Sequence, residues 1–424
     1  MRTFLDKIFL RSNNLHNISN NIKELTYRTP IKKIFEVINN YSSESEVRYV
    51  GGCIRKIINK EKIDDIDLAT NLKPIEVCDV LKKNNINYYE SGIAHGTITA
   101  TENEYKFEIT TLRKDINSDG RHAEVEFSKD WKEDASRRDF TINSIYSDSN
   151  GNLFDPYDGK NDLKNGYVKF IGDADLRIKE DYLRILRYIR FFSIYSKQQH
   201  NPELLRIIKK NIKGVSKLSK DRLLDELRKM MKIDILENLS KDKKSLDLLL
   251  IIFPELKNVK IFSKLKPHLR DILRDNDAIF LISLMIIDET DNADYFLYKF
   301  NFSKKDQKRI KNIDKFFKEK INSKTFLEEN MNKIFYYYGK ETALDILNYR
   351  MIKLNKLDNS LKKLIKNYEN KLTPKMPVSA ELLMKKYEIP EGKQLGKKLR
   401  IIETEWVKNN FRISEQQVDK IVNN

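Results

Sequence analysis

Apolar residues follow two rhythms along this chain. Between residues 47 and 112 short segments alternate apolar and polar: 47–50 (VRYV), 98–101 and 105–112 (YKFEITTL) read as strands, the last two joined as a hairpin around Asn103. In the last of these Phe107, Ile109 and Thr111 share one face, and Lys106, Glu108 and Thr110 the other. Residues 31–42 (IKKIFEVINNYS) and 73–83 carry helical spacing, the second beginning near Pro74, where a proline suits the first turn. Residues 113–135 are polar and hold a turn signal at Asp119 and Gly120, and 155–166 (DPYDGKNDLKNG) is turn chemistry throughout. From about Leu176 onward the spacing is helical, punctuated by Pro254, Pro267 and Pro377. In 394–407, Leu395, Leu399, Ile402 and Trp406 keep that period. The pattern predicts an α/β front followed by an all-α rear.

Composition narrows the classes. A chain of 424 residues is long enough for two or three domains with sizeable cores. Two cysteines, Cys53 and Cys78, exclude a disulfide scaffold and a CxxC zinc site, and point to a reducing, cytoplasmic setting. No apolar run approaches the ~18 residues of a membrane span. Residues 1–21 are amphipathic and Asn-rich, a poor match to a signal peptide. The formal net charge is +17, and it is unevenly placed. Residues 1–190 hold 31 basic and 31 acidic side chains, whereas 191–424 hold 49 and 32. A balanced front and a basic rear suggest chemistry in the first and a grip on a polyanion in the second.

The chemistry concentrates in four segments. In 50–70 (VGGCIRKIINKEKIDDIDLAT), Gly51 and Gly52 precede a short helical pattern, so backbone N–H groups can approach an anion closely. Asp65 and Asp67 then fall on one face of a strand with Ile66 turned inward. Two adjacent carboxylates repel unless a cation lies between them, and Mg²⁺, which also bridges phosphates, fits that place. Glu108, on another predicted strand, is a candidate third carboxylate. In 133–145 (EDASRRDFTINSI), Arg137 and Arg138 supply planar donors suited to phosphate, Asp139 can accept from a ribose 2′-hydroxyl, and Asn143 can add a ribose or phosphate contact. In 179–191 (KEDYLRILRYIRF), helical spacing sets Glu180 and Asp181 four and three positions before Arg184. In 217–229 (KLSKDRLLDELRK), Ser219 suits a helix N-cap and Arg222 pairs with Glu226, a structural reading.

Together these segments resemble the nucleotidyltransferase superfamily of DNA polymerase beta, and more closely the class II tRNA nucleotidyltransferase/poly(A) polymerase family. The resemblance is tight over 46–229 and looser beyond, and it implies an α+β fold: an N-terminal extension over 1–29, a nucleotidyltransferase head with a small mixed sheet over 30–155, a helical neck over 156–235, and a helical body and tail over 236–424. It implies a triphosphate site of Gly51, Gly52, Arg55 and Arg138, a ribose site of Asp139 and Asn143, and Mg²⁺ on Asp65 and Asp67 with Glu108 in the catalytic set. It assigns the nucleobase to Glu180, Asp181, Arg184 and Arg187. Asp181 then accepts from the amino group of cytosine or adenine, Arg184 donates to the neighbouring ring nitrogen, and Glu180 braces Arg184. Uracil and guanine reverse that polarity, leaving buried groups unpaired at ~1–3 kcal/mol each. Residues 119–127 (DGRHAEVEF) match a loop that helps the family switch from adding C to adding A, and Lys393, Lys397, Lys398 and Arg400 match a tRNA-facing tail. The implied activity is template-independent addition of C, C and A to a tRNA 3′ end from CTP and ATP, with no protein partner. Poly(A) polymerase and a CC- or A-adding half-enzyme share these motifs. The HGT segment at 95–97 differs from the arginine-rich form found in gammaproteobacterial poly(A) polymerases. A catalytically dead RNA-binding protein is disfavoured by the intact motif residues. One departure stands out: Lys56 occupies a position where the family usually has Asp.

Overall fold

A computed structural model describes residues 18–118, 123–319 and 323–423. The chain divides into two compact units, residues 1–222 and 223–424.

The first unit is built on a seven-stranded sheet. Its strands are β1 (Val47–Val50), β2 (Ile66–Thr70), β3 (Asn87–Gly92), β4 (Thr97–Glu102) and β5 (Tyr105–Thr111), with two-residue strands at Tyr146–Ser147 and Leu153–Phe154 beyond β1. The order is β3-β4-β5-β2-β1 followed by those two short strands. Only β2 and β5 run parallel, with Asp67 opposite Glu108 and Leu68 opposite Ile109. A parallel pair needs a long crossover. The chain supplies it as a helix, Pro74–Lys83, then β3 and β4. That helix starts where Pro74 predicts, with the Lys73 amide donating to Glu76 Oε2 at 2.7 Å. The β4–β5 turn rests on Asn103 and Glu104, both at positive φ, the geometry a tight hairpin turn requires. Tyr49, Leu68, Ile98, Phe107 and Ile109 are buried in the core that this sheet shares with its helices.

The fold departs from the sequence pattern in two places. Residues 18–28, expected within an N-terminal extension, form helix α1 (Ile18–Arg28), whose Ile22 and Leu25 are buried in the head core. Ser19 Oγ donates to the Gly151 carbonyl at 2.7 Å, and Thr26 Oγ1 lies 2.8 Å from the Tyr49 hydroxyl. The stretch 113–135, read as polar loop, instead contains a separate antiparallel ribbon of β6 (Arg113–Ser118) and β7 (Ala123–Phe127). In β7 the sequence AEVEF does alternate, but this short rhythm sits within a predominantly polar stretch. Residues 119–122 of the loop expected at 119–127 lie outside the described residues.

Among the described residues, every element of the second unit is a helix. Its centre is Ala278–Ile286, buried at every position from Ile279 to Ile286 and capped by Asp277, whose carboxylate accepts from the Phe280 amide at 3.0 Å. Arg309 ties Asp277 to Asp345 at 2.5 Å on each side. Near the C-terminus a smaller core gathers Leu383, Leu395, Ile402 and Val418.

Gly151 tests the seat of α1. It sits at φ +80, and a Cβ there would lie 2.4 Å from Ser19 Cα, a backbone atom that cannot swing aside. Gly151→Ala is expected to cost roughly 1–3 kcal/mol and to speed hydrogen exchange of the α1 amides. Unchanged denaturation and exchange would show that α1 is not held there.

Candidate active site

The two halves of the 50–70 motif meet on one surface. Gly51, at φ +66, turns the chain from β1 into α2 (Gly52–Ile58), and its amide donates to the Ile145 carbonyl at 3.1 Å. A side chain on Gly51 would stand 3.4 Å from Arg138 Nη1, and one on Gly52 would stand 3.7 Å from Asp67 Oδ2. The glycine pair therefore forms the floor between a carboxylate and a guanidinium. Asp67 lies on β2 directly beside Glu108 on β5, and Asp65 immediately precedes β2.

Burial pushes the Asp67 carboxyl up to about 6, Glu108 and Asp65 add to the rise, and Arg138 and Arg55 oppose it. An acid made reluctant to ionise by burial and by other acids is a site that a divalent cation relieves. Neighbouring Asp64 has a cation already, Lys56 Nζ at 2.9 Å. Among the described residues no group of three or more His, Cys, Asp or Glu closes into a metal cluster. The donor set on offer is thus the hard carboxylate oxygens of Asp65 and Asp67, completed by oxygens from a bound substrate. These residues fit a divalent metal.

Arg138 is held by a cluster that the sequence motifs did not single out. Asp134, almost fully buried on α3 (Trp131–Ser136), accepts from Arg137 Nη2 at 2.7 Å, Arg138 Nη2 at 3.1 Å and the Tyr146 hydroxyl at 2.7 Å. Burial alone would raise its pKa, but Arg138 and Arg137 overcome that and bring it down to about 2. Asp134 precedes these arginines by three and four positions, so helical spacing was the available signal. Tyr146 carried none.

Behind this cluster runs a buried relay. Arg55 Nη1 donates to Asn143 Oδ1, Asn143 Nδ2 to Asp139 Oδ1 at 2.8 Å, and Arg187 Nε to Asp139 Oδ2 at 2.7 Å. Asp139 is likewise drawn down to about 2: burial opposes, while Arg187, Asn143 and the Phe140 amide prevail. The Arg55 guanidinium also lies 4.8 Å from the Phe191 ring and 5.1 Å from the Tyr195 ring. Arg55, expected on the triphosphate, and Asn143, expected on the ribose, are in this structure engaged with protein partners.

The base-reading segment is not one continuous helix, as its spacing suggested. It breaks at Asp181, in extended backbone at φ −152, between α4 (Ala174–Glu180) and α5 (Leu183–Tyr195). The break has a cause in the Asp181 side chain, which accepts from the Leu183 amide at 3.1 Å and starts the second helix. Glu180 nonetheless reaches Arg184 Nη1 at 2.7 Å. Arg222 Nη2 holds Asp181 Oδ2 at 2.8 Å. A further residue, Arg177, donates to the Arg138 carbonyl at 2.8 Å and also to the Arg137 carbonyl and Glu180. No sequence spacing announces a contact with carbonyls about forty positions away.

The tail residues lie on the helix Lys393–Lys408 of the second unit. Lys393, Lys397 and Arg400 are exposed, whereas Lys398 is half-buried and donates to the Val422 carbonyl.

A mixed-sheet head with Asp67 on β2, Asp65 just before it, and Arg138 across a glycine turn is the arrangement expected of a nucleotidyltransferase. Residues 47–169 match the poly A polymerase head domain, and residues 272–419 match tRNA nucleotidyltransferase domain 2. The CCA tRNA nucleotidyltransferase 1, mitochondrial, of Mus musculus is 32% identical over 381 residues, 88% of this chain and 85% of that protein. The chain belongs to the CCA tRNA nucleotidyltransferase family. The protein of the same name from Danio rerio is 45% identical over 192 residues, a match spanning 45% of this chain and less than half of that protein, 44%. In fold the chain is similar to the Bacillus stearothermophilus CCA-adding enzyme solved in complex with CTP, with a TM-score of 0.67 at 20% identity over 90% of this chain and 93% of that one.

Two opposite pH effects arise from these carboxylates. Asp67 titrates higher when folded, so its ionisation costs stability above about pH 6, and that cost disappears below the ordinary carboxylate value. Asp67→Asn is expected to stabilise the metal-free protein at pH 8 by roughly 1–3 kcal/mol in denaturant titrations with chelator. A destabilised variant would contradict this. Asp134 and Asp139 titrate lower when folded, so their stabilisation is present above about pH 4 and lost as pH falls toward about 2. Asp134→Asn should weaken the protein at pH 7 and flatten that acid limb of the stability curve.

Proposed function

We propose that this protein adds C, C and A to the 3′ end of tRNA from CTP and ATP, releasing pyrophosphate, without a nucleic-acid template. The observation that carries the reading is the surface shared by Asp67, the Gly51–Gly52 floor and Arg138, in a chain related over 88% of its length to a CCA tRNA nucleotidyltransferase. Asp65 and Asp67 are the residues to hold Mg²⁺, with Glu108 alongside. Bound there, the metal would assist the 3′-hydroxyl and neutralise charge on the phosphate oxygens.

The remaining work falls to the chain's own side chains. The glycine floor leaves room for the triphosphate, and Arg138, kept charged and immobile by Asp134 and Tyr146, faces it. Asp139, ionised at any physiological pH, accepts from the ribose while anchored by Arg187. Asp181 and Arg184 read the edge that cytosine and adenine share. Each enters this job already oriented, Asp181 by Arg222 and Arg184 by Glu180. Preorganised charges of this kind favour the correct base, because a reversed donor and acceptor leaves a buried group unpaired. Functionally the chain then divides into head, 30–155, neck, 156–235, and body with tail, 236–424. Exposed Lys393, Lys397 and Arg400 meet the tRNA backbone, and Lys398 supports their helix. No helix among the described residues is long and apolar enough to cross a membrane. We place the activity in the cytoplasm, where buried Cys53 and Cys78 stay reduced.

The test is a set of single reactions with Mg²⁺, a tRNA ending before CCA, and CTP alone, ATP alone or both. Three added nucleotides with both substrates is the expected product. A ladder of A from ATP alone would make the protein a poly(A) polymerase, and a stop after two C, or A added only to a CC end, a half-enzyme. Asp65→Ala and Asp67→Ala should each lower turnover at least ~1,000-fold with tRNA binding retained. Removing the charges of Lys393, Lys397 and Arg400 together should weaken tRNA binding and lower its salt dependence, leaving nucleotide affinity unchanged.

A further inference from the structure

The phosphate-facing and base-facing parts of the site are separated by about forty residues of chain, and one side chain joins them. Arg177 lies on α4, and its Nη2 donates to the carbonyls of both Arg137 and Arg138, at 2.8 Å for the latter. Its Nη1 donates to Glu180 Oε2, the same oxygen that accepts Arg184 Nη1 at 2.7 Å. The Arg177 carbonyl in turn accepts Arg184 Nη1 at 2.7 Å, and Arg184 Nη2 reaches the Arg137 carbonyl at 3.4 Å. The Arg177 side chain is only 13% exposed.

We propose that Arg177 is a positioning residue that sets the distance and direction between the base-reading Arg184 and the phosphate-facing Arg138, and thereby nucleotide selectivity. This inference rests on the proposed activity. The guanidinium is suited to the task because its planar fork makes several directed bonds at once, which an ammonium cannot match. Both Arg137 and Arg138 carbonyls are fixed by it, so the backbone that carries Arg138 cannot shift without moving α4. Through Glu180, the same fork limits where Arg184 can point. Arg184 already spends Nη1 on two acceptors, so its donor toward a base depends on that arrangement holding still. A wrong base is rejected only if Arg184 cannot turn to suit it. Arg177 bonds to Glu180 and to the Arg137 and Arg138 carbonyls, so it acts through Arg184 and Arg138.

The experiment compares full-length wild type, Arg177→Met and Arg177→Lys. Thermal unfolding reports folding, and kcat and KM are measured for CTP and for UTP on a tRNA ending before CCA. For Arg177→Met the ratio of kcat/KM for CTP over UTP is expected to fall at least ~10-fold, chiefly through a raised KM for CTP. Arg177→Lys, which keeps the charge and loses the fork, should fall in between. A folded Arg177→Met with the wild-type ratio, or with kcat lowered equally for both nucleotides and KM unmoved, overturns the proposal. Should Arg177→Met not fold, Arg177→Lys decides by the same ratio: a drop of about threefold or more supports the role, and an unchanged ratio overturns it. If wild type incorporates no C, the proposed activity has failed separately. The CTP-over-UTP ratio of equilibrium dissociation constants, measured without chemistry, then decides the positioning role alone, by the same drop or constancy.

Discussion

A charge taken out of water must find a partner, and this head takes several out of water at once. Asp134 is nearly inaccessible, yet stays ionised because Arg137, Arg138 and Tyr146 converge on it. Asp139 does the same with Arg187, Asn143 and the Phe140 amide. Neither carboxylate can lose its partners without leaving a buried charge, so the arginines are held more tightly than surface ion pairs would hold them. That is what allows Arg138 to stand at a fixed place over the glycine turn rather than sampling solvent.

Asp67 shows the other side of the same constraint. Burial raises its pKa, Glu108 and Asp65 add to the rise, and Arg138 and Arg55 do not overcome it. The contrast between Asp134 and Asp67, two aspartates in one unit, separates their roles on physical grounds. The first is satisfied by the protein and holds structure. The second has its ionisation opposed by burial and by other acids. Lys56, the unusual lysine in the glycine motif, takes Asp64 as its partner.

A break in secondary structure separates two neighbouring carboxylates. A continuous helix through 174–195 would carry Asp181 as an ordinary surface carboxylate. The extended backbone at Asp181 lets its side chain start the next helix and turn toward Arg222, while Glu180 closes the preceding helix and still meets Arg184. Two carboxylates adjacent in sequence thus take separate arginines. The carbonyls of Arg137 and Arg138, drawn in by Arg177, tie this break to the phosphate side.

Local sequence determined much of this protein. Strand alternation located β1, β4 and β5, Pro74 marked a helix start, and the glycine pair, the two aspartates and the RRDFTIN and EDxxRxxR segments supplied the candidate site residues, because each depends on neighbours within a few positions. The same local view misled where short-range pattern and long-range partner compete. It ran a helix through Asp181, and it passed over β6 and β7 because the short alternation of Ala123, Val125 and Phe127 sits within a predominantly polar stretch. That Arg55 and Asn143 bond to each other is likewise written in no local pattern. Only the tertiary structure decided that Glu108 stands beside Asp67, since that rests on the register of a parallel pair joined by a crossover. Only it could show Arg177 on the carbonyls of Arg137 and Arg138. A backbone carbonyl is the same in every residue, so no sequence records which arginine it will accept.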